Sequence, residues 1–276
     1  MRRILRLWRV HAYLDFMFMT RDMRTFWISY GAEAVLSLAA VSGTFLLAER
    51  FAGIGTWSRE EVIFLLSYGL AVSGVLDAFF GYNVLRISRR LGRGQLDHTL
   101  LQPQPLWAAL LTEGFMPFSS SALLVPAAGL MGWAGGRLNV QPTPEWLALL
   151  GLQLLTSCAL VLAFSFAWGS LAFWGPRAAE EISSSAVGLM EGLKPFPLDG
   201  LGPGLMGVMV SVMPVGLVVW FPSRVLLGRL HGPLDIWATP LAALVAVGVA
   251  VILFKKGLQN YGRTGATRYL PFGHRR

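Results

Sequence analysis

Long apolar stretches separated by short polar or basic ones make up most of this chain. A helix needs about 20 predominantly apolar residues to cross a bilayer. Five stretches reach that length with no more than one charged residue each, namely 25–48, 62–85, 105–136, 146–176 and 236–254. The pattern predicts a membrane-spanning helix in each of them.

The stretch 182–223 is too long for one span and is not uniform. Its first half carries three charged residues, whereas its second half, 200–223, carries none but contains three prolines. Either a fifth span lies near 178–196 and 200–222 enters the membrane as a broken re-entrant hairpin, or 200–222 is the span and 178–199 is cytoplasmic. Both alternatives give six crossings and put the two termini on the same side.

The basic residues are distributed asymmetrically about these predicted spans. Of the 23 lysines and arginines, 17 fall on the side of the two termini and six on the other side. The positive-inside rule therefore predicts that both termini are cytoplasmic. The segment 1–24 is expected to form an interfacial helix, because its arginines recur at helical spacing opposite Ile4 and Trp8; the alternative is charge that merely orients the first span.

Composition narrows the class of protein further. Hydrophobic residues make up 54% of the chain and charged residues 14%, whereas a soluble domain carries about 25% charged residues. These values exclude a disordered protein and argue against a soluble enzyme. The lone Cys158 excludes an internal disulfide and a multi-cysteine zinc site. The sequence contains no G-x-x-x-x-G-K-[ST] motif, so it has no P-loop of its own.

Three acidic residues, Glu33, Asp77 and Glu113, lie within predicted spans. A carboxylate in hydrocarbon is unfavourable unless it faces protein or water, which makes them candidates for a transport pathway. Asp77 could instead bond to a neighbouring helix, and Glu113 is close enough to the cytoplasmic end of its span to reach the headgroups. Glu191 and Lys194 are further candidates, although residues three apart on a helix can simply pair with each other.

The most informative loop is 86–107, RISRRLGRGQLDHTLLQPQPLW, which follows the second predicted span. It begins with arginines, breaks at two glycines, continues with three leucines and ends at two prolines. Leu96 and Leu100 are four residues apart, so a short helix places both on one face. Exposed leucines with a polar rim favour docking onto a partner protein; a helix lying flat on the membrane is the alternative.

Four segments, in their order and spacing, resemble the ABC-2-type permease subunits of bacterial ATP-binding-cassette exporters. They are GTWSREEVIFLL at 55–66, GRGQLDHTLLQP at 92–103, MPVGLVVWFPSRVLLG at 213–228 and YGRTGATRY at 261–269. The resemblance covers nearly the whole chain and is to a small six-span family whose ATPase is a separate polypeptide.

The second segment carries the most specific part of the resemblance. The family pattern G-x-[LI]-D-x-x-L is matched by Gly94, Leu96, Asp97 and Leu100. The chain departs from the family at Gln102, where an arginine often precedes the proline, and this departure falls within the expected docking contact.

The resemblance implies an all-α polytopic membrane protein that forms one domain over 1–276. It would have six transmembrane helices, an interfacial helix at 1–24, a cytoplasmic coupling loop at 86–104 and a cytoplasmic tail at 255–276. It also favours 200–222 as a re-entrant hairpin before the last span.

The resemblance further implies partners and a location. The loop would seat a coupling helix in a cleft of the ATPase, through Gly94, Gln95, Leu96, Asp97, His98, Thr99, Leu100 and Leu101. Two permeases, identical or different, would pair through their spans in the bacterial inner membrane, in contact with lipid and without nucleic acid. ATP and Mg would bind to the ATPase, with no cofactor on this chain, and the substrate would be an amphipathic, drug-like or lipid-like compound.

Two other functions remain open from the residues alone. A proton-coupled secondary transporter could use Glu33, Asp77 and Glu113 as proton sites, although the two halves of the chain show no repeat. A membrane-embedded lipid-modifying enzyme would need clustered Asp, His or Ser residues near a membrane face, and the sequence shows no such cluster.

Overall fold

The computed structural model of the chain describes residues 2–50, 53–85, 87–119, 122–230, 232 and 234–264. Apart from one antiparallel β-hairpin, the regular elements in these residues are helical. The elements are α1 (Arg2–Arg21), α2 (Met23–Arg50), β1 (Gly53–Ile54), β2 (Trp57–Ser58), α3 (Arg59–Leu85), α4 (Ile87–Gly92), α5 (Gln95–Leu100), α6 (Leu106–Thr112), α7 (Leu124–Arg137), α8 (Pro144–Gly169), α9 (Pro176–Leu193), α10 (Pro203–Ser211), α11 (Phe221–Leu226) and α12 (Asp235–Thr264). A 3₁₀ turn, Ser170–Phe173, follows α8, and a π-helical turn, Gly216–Trp220, precedes α11.

Three of the described helices are long and apolar enough to cross a membrane by themselves. They are Arg59–Gly81 of α3, Pro144–Phe173 and α12, and a fourth candidate is the bent pair of α10 with Gly216–Leu226. The structure therefore confirms an all-α polytopic membrane protein with three to four such spans, while six crossings remain a prediction. The first predicted span, 25–48, lies within α2, whose 28 residues extend over about 42 Å.

A single residue, Asp22, separates α1 from α2. Its carboxylate accepts the backbone N–H of Thr25 at 3.1 Å, which is the usual cap for the first turn of a helix. Hydrogen bonds from the side chain and the backbone of Thr25 lower the pKa of Asp22 below its ordinary value. The predicted N-terminal helix thus exists, and it leads directly into the first predicted span.

The prediction of one continuous span over 105–136 is wrong. The structure breaks this stretch into α6 and α7, joined by an irregular segment. The break lies where Gly114 crosses α3, so closely that a Cβ on Gly114 would stand 1.7 Å from the carbonyl oxygen of Phe80. α3 itself kinks at Gly81, which has a φ of 59°. The kink frees the carbonyl of Ala78, which accepts the N–H of Met116 at 2.9 Å instead.

The predicted break in 200–222 is present. α10 and the helical stretch Gly216–Leu226 meet at 79°, and Pro214 lies in the bend. Helix α9 covers most of the alternative fifth span, but it is not among the helices that are apolar enough to cross alone. Both assignments of the fifth crossing therefore remain predictions.

The described residues form a central apolar core and two smaller ones, the smallest of which consists of Leu70, Leu123 and Ala127. The central core packs α3 against α8 and the π-helical turn, with Phe64, Tyr68 and Val218 fully buried. A helix that is apolar all round is expected to be enclosed by others, and α3 takes this position. The second core, called here the α4–α5 core, consists of Ile87, Leu91, Leu96, Leu110, Ala172, Phe173, Ala179 and Tyr261.

Candidate functional site

The coupling loop predicted from the sequence folds as two short helices at the end of α3. α4 is held close to the end of α8, since a Cβ on Gly169 would approach the Ile87 side chain to 2.2 Å. Between α4 and α5 the chain turns at Gly94, whose φ of 67° lies in the left-handed region, where a side chain would be strained. Gly94 thus makes the tight connection between α4 and α5 possible.

The two faces of α5 have opposite surroundings. Leu96 is 1% exposed and belongs to the α4–α5 core, and Thr99 is also buried. Leu100 is 45% exposed and Leu101 is 84% exposed, and Gln95 and His98 are exposed beside them.

The expectation that Leu96 and Leu100 share an exposed face is therefore wrong. Leu96 lies in the first turn of α5, where it is buried in the α4–α5 core. Leu100 ends the helix about 6 Å further along its axis, where its side chain is partly exposed.

Polar contacts tie α4 and α5 to three other parts of the protein. Arg90 Nη2 donates to Glu113 Oε2 at 2.6 Å, which joins α4 to the break after α6. Arg89 lies 3.9 Å from Glu180 at the start of α9. The hydroxyl of Tyr261, near the end of α12, donates to the carboxylate of Asp97 on α5. Glu113 thus makes an inter-helix contact with Arg90, which neither of the roles expected for it from the sequence described.

A cavity of about 830 Å³ opens between α2, α3 and the end of α9. It is lined by Gly43, Thr44, Leu47, Leu70, Ser73, Asp77, Leu123, Glu191, Gly192, Lys194, Pro195 and Phe196. Leucines and Phe196 form an apolar wall, and Ser73, Asp77, Glu191 and Lys194 form a polar patch.

The polar patch brings together three of the five candidate pathway residues. The ammonium group of Lys194 donates to the Ser73 hydroxyl and to the Glu191 carboxylate, so the suspected pair of Glu191 and Lys194 is formed and also reaches α3. Asp77 lies one turn beyond Ser73. Glu33, on α2, and Glu113 are not among the residues that line the cavity.

Comparison with known families matches residues 34–265 to the model described as ABC-2 family transporter protein. The matched range covers most of the chain, including α4, α5 and the cavity. The chain belongs to the ABC-2 transporter family. No curated protein and no solved structure matches it.

The family assignment confirms the resemblance found in the sequence. The chain is an ABC-2 permease, the multi-pass membrane component of an ABC transporter and not its catalytic subunit.

One polar cluster of the permease was not expected from the sequence. The carboxylate of Asp199 accepts the indole N–H groups of Trp57 and of Trp220, the latter at 2.6 Å. Arg224 lies 4.0 Å from the same carboxylate and stacks over the Trp220 ring at 4.9 Å. This Asp199 cluster joins the β-hairpin to the bent segment 203–226. The only signal was an acid and two tryptophans far apart in sequence, with no shared motif.

The permease holds α1 through a second unforeseen contact. Asp15 is buried and accepts the N–H of Phe118 at 2.7 Å and of Ser119 at 3.2 Å, as well as the Ser119 hydroxyl. Trp8 packs against the rings of Phe79 and Phe115. α1 is therefore fixed to the broken segment between α6 and α7.

Proposed function

We propose that the chain is the permease subunit of an ABC exporter and forms the translocation path for an amphipathic, drug-like or lipid-like substrate. Membership of the ABC-2 family carries this proposal. The sequence has no P-loop motif, so ATP hydrolysis is assigned to a separate ATPase subunit, which binds ATP and Mg²⁺. This chain binds no cofactor of its own.

The exposed end of α5 is the proposed docking surface for that ATPase. Leu100 and Leu101 are exposed in the single chain and lie beside the polar side chains of Gln95 and His98. Burial of an exposed leucine in a partner's cleft is worth about 1.5–3 kcal/mol. An apolar pair with a polar rim therefore fits an interface better than open water.

The cavity beside Asp77 is the proposed part of the substrate path. Its volume of about 830 Å³ falls within the range of about 300–1,000 Å³ that holds drug-sized ligands. The wall formed by Leu47, Leu70 and Phe196 suits an apolar body, and the patch around Asp77 and Lys194 suits a polar head. The cavity thus supports an amphipathic substrate.

A second permease, identical or different, completes the proposed transporter. In the single chain, α2 and α12 carry large exposed apolar side chains, including Leu36, Leu244 and Val245, which suit contact with a partner permease or with lipid. The excess of basic residues supports cytoplasmic termini, in a bacterial inner membrane.

Reconstitution tests the proposal. The tagged chain is purified from its native membrane together with any P-loop ATPase that accompanies it, and both are placed in liposomes with a fluorescent amphipathic amine or a fluorescent phospholipid. We expect ATP-dependent transport only when both subunits are present, and none with an ATPase whose P-loop lysine is replaced.

Two results would contradict the proposal. ATP hydrolysis by the purified chain alone would show that catalysis does not belong to a separate subunit. Transport by the chain alone, driven by a pH gradient without ATP, would instead favour the proton-coupled alternative, for which the acids around the cavity supply candidate proton sites.

A further inference from the structure

The last turns of α12 pack directly onto the α4–α5 core. The ring of Tyr261 is buried and lies 5.8 Å from the ring of Phe173. Asn260 Nδ2 donates to the Phe173 carbonyl at 3.2 Å. One turn earlier, a Cβ on Gly257 would stand 2.2 Å from the Phe173 ring, so α12 and the turn after α8 are in the closest contact that a glycine allows.

Within this packing, a polar bond reaches α5 itself. The Tyr261 hydroxyl donates to the carboxylate of Asp97, which is 164 residues away in sequence. Arg89 and Arg90, by contrast, lie on α4, and their partners are Glu180 on α9 and Glu113 after α6. A hydroxyl bonded to a carboxylate is charge-assisted and belongs to the stronger class of hydrogen bonds. It is also directional, because the packed ring fixes where the hydroxyl points.

We propose that Asp97 and Tyr261 form the link through which movement of α5 is transmitted to the last membrane helix. This inference rests on the proposed function, in which α5 docks on the ATPase. α12 makes an extensive contact with α8, so a displacement of its Tyr261 end is carried along a 30-residue helix into the membrane domain. Tyr261 is then a positioning residue for energy coupling.

The two changes that test the link are Tyr261→Phe and Asp97→Asn. Tyr261→Phe removes the donor and keeps the ring that packs on Phe173, so the fold is retained. We expect the ATPase to co-purify and hydrolyse ATP at its normal rate, while the substrate transported per ATP falls about fivefold or more, the range of ordinary coupling between two sites. Asp97→Asn keeps an acceptor without the charge and should lose less.

The matched control is Tyr68→Phe. Tyr68 is also buried, and its hydroxyl also forms a hydrogen bond to a side chain on another helix, Ser157, at 2.9 Å, but it lies in the central core, away from α5. Transport per ATP should be unchanged in this variant. An equal loss in Tyr68→Phe and Tyr261→Phe would mean that any weakened tyrosine contact uncouples the protein, and the link would be rejected.

The double variant separates one shared bond from two independent roles. If Asp97 and Tyr261 act through each other, adding Asp97→Asn to Tyr261→Phe causes no further loss. Additive losses overturn the proposal, as does normal transport per ATP in Tyr261→Phe. Loss of the bound ATPase from Tyr261→Phe also overturns it, because the residue would then support docking. A wild-type chain that recruits no ATPase would reject the proposed function itself, and this is seen before any variant is made.

Discussion

The leucines at the two ends of α5 offer the clearest separation of docking from folding at the scale of single residues. Leu96 is enclosed in the α4–α5 core, and Leu101 is almost fully exposed. A charge introduced at Leu96 enters an apolar site, where an unpaired ion is strongly unfavourable. A charge introduced at Leu101 stays in water until a partner protein covers it.

Replacing Leu100 and Leu101 together with Asp should leave the permease folded and remove its ATPase. Because Leu100 is only 45% exposed and Leu101 84% exposed before docking, the two lost burials correspond to about 2–4 kcal/mol of docking free energy, which weakens a complex of ordinary affinity by a factor of about 30 or more. Leu96→Asp should instead lower the amount of folded permease. Co-purification of tagged ATPase, with thermal stability measured on the same samples, distinguishes the two effects. Full ATPase recovery with the Leu100→Asp, Leu101→Asp double variant would show that the ATPase does not bind at this end of α5.

Asp77 and Ser73 provide a second comparison, one helical turn apart on α3. Ser73 accepts a hydrogen bond from Lys194 and so joins α3 to the end of α9, whereas Asp77 lines the cavity. Asp77→Ala should reduce transport without lowering thermal stability. Ser73→Ala should lower stability by about 1–3 kcal/mol, because it deprives a charged group of a partner. If Asp77→Ala costs as much stability as transport, the residue serves helix contact alone.

At the scale of elements, the crossing of α3 with the break between α6 and α7 decides the path of the chain. Two glycines make the crossing possible, Gly81 through its positive φ and Gly114 through its missing side chain. The contact brings backbone against backbone, which leaves no flexible side chain that could move aside. This crossing is therefore expected to be intolerant of even a methyl group.

Gly114→Ala should destabilise the permease by about 1–3 kcal/mol or more, the usual cost of inserting atoms into a packed site. Gly129→Ala is the matched control, since Gly129 lies in α7 with open space around its Cβ position. That change should be neutral or stabilising, by up to about 1 kcal/mol, because alanine is the better helix former. Thermal unfolding in detergent measures both, and equal stability of the two variants would contradict the close crossing.

The sequence predicted the elements better than their interruptions. Hydropathy identifies 105–136 as apolar, but the break at Gly114 depends on the Phe80 carbonyl, which belongs to another helix. The four-residue spacing of Leu96 and Leu100 correctly predicts a helix at this position. It does not show which residues of that helix are buried, because this depends on where the core beneath it ends. In both cases the missing information is a tertiary contact.

The same limit applies to the candidate site. Charge inside apolar sequence singled out Asp77, Glu191 and Lys194, and the structure brings these three together at one cavity. Asp15 was overlooked because it lies outside the apolar stretches, where an acid normally needs no partner. Asp199 lies in the same stretch as Glu191 and Lys194, but it has no opposite charge at helical spacing that would have drawn attention to it. Their partners are backbone N–H groups and indoles more than 20 residues away in sequence. No local sequence pattern predicts such contacts.

At the scale of the whole molecule, the orientation in the membrane remains a prediction that labelling can check. Thr56, Gln141 and His98 are all exposed, and the native Cys158 is buried, so single cysteines at the three positions would be labelled with little background. An impermeant maleimide added to intact cells should react at positions 56 and 141, and at position 98 only after permeabilisation. Reaction at position 98 in intact cells would reverse the orientation.

The anchoring of α1 by Asp15 also sets an order of events during biosynthesis. The groups that bind Asp15 belong to Phe118 and Ser119, 103 and 104 residues later in the chain. At synthesis rates of roughly 5–20 residues per second, they leave the ribosome roughly 5–20 seconds after Asp15 does. During that interval α1 cannot use its final contact, and its arginines and apolar face must hold the nascent chain at the membrane until the partner segment arrives.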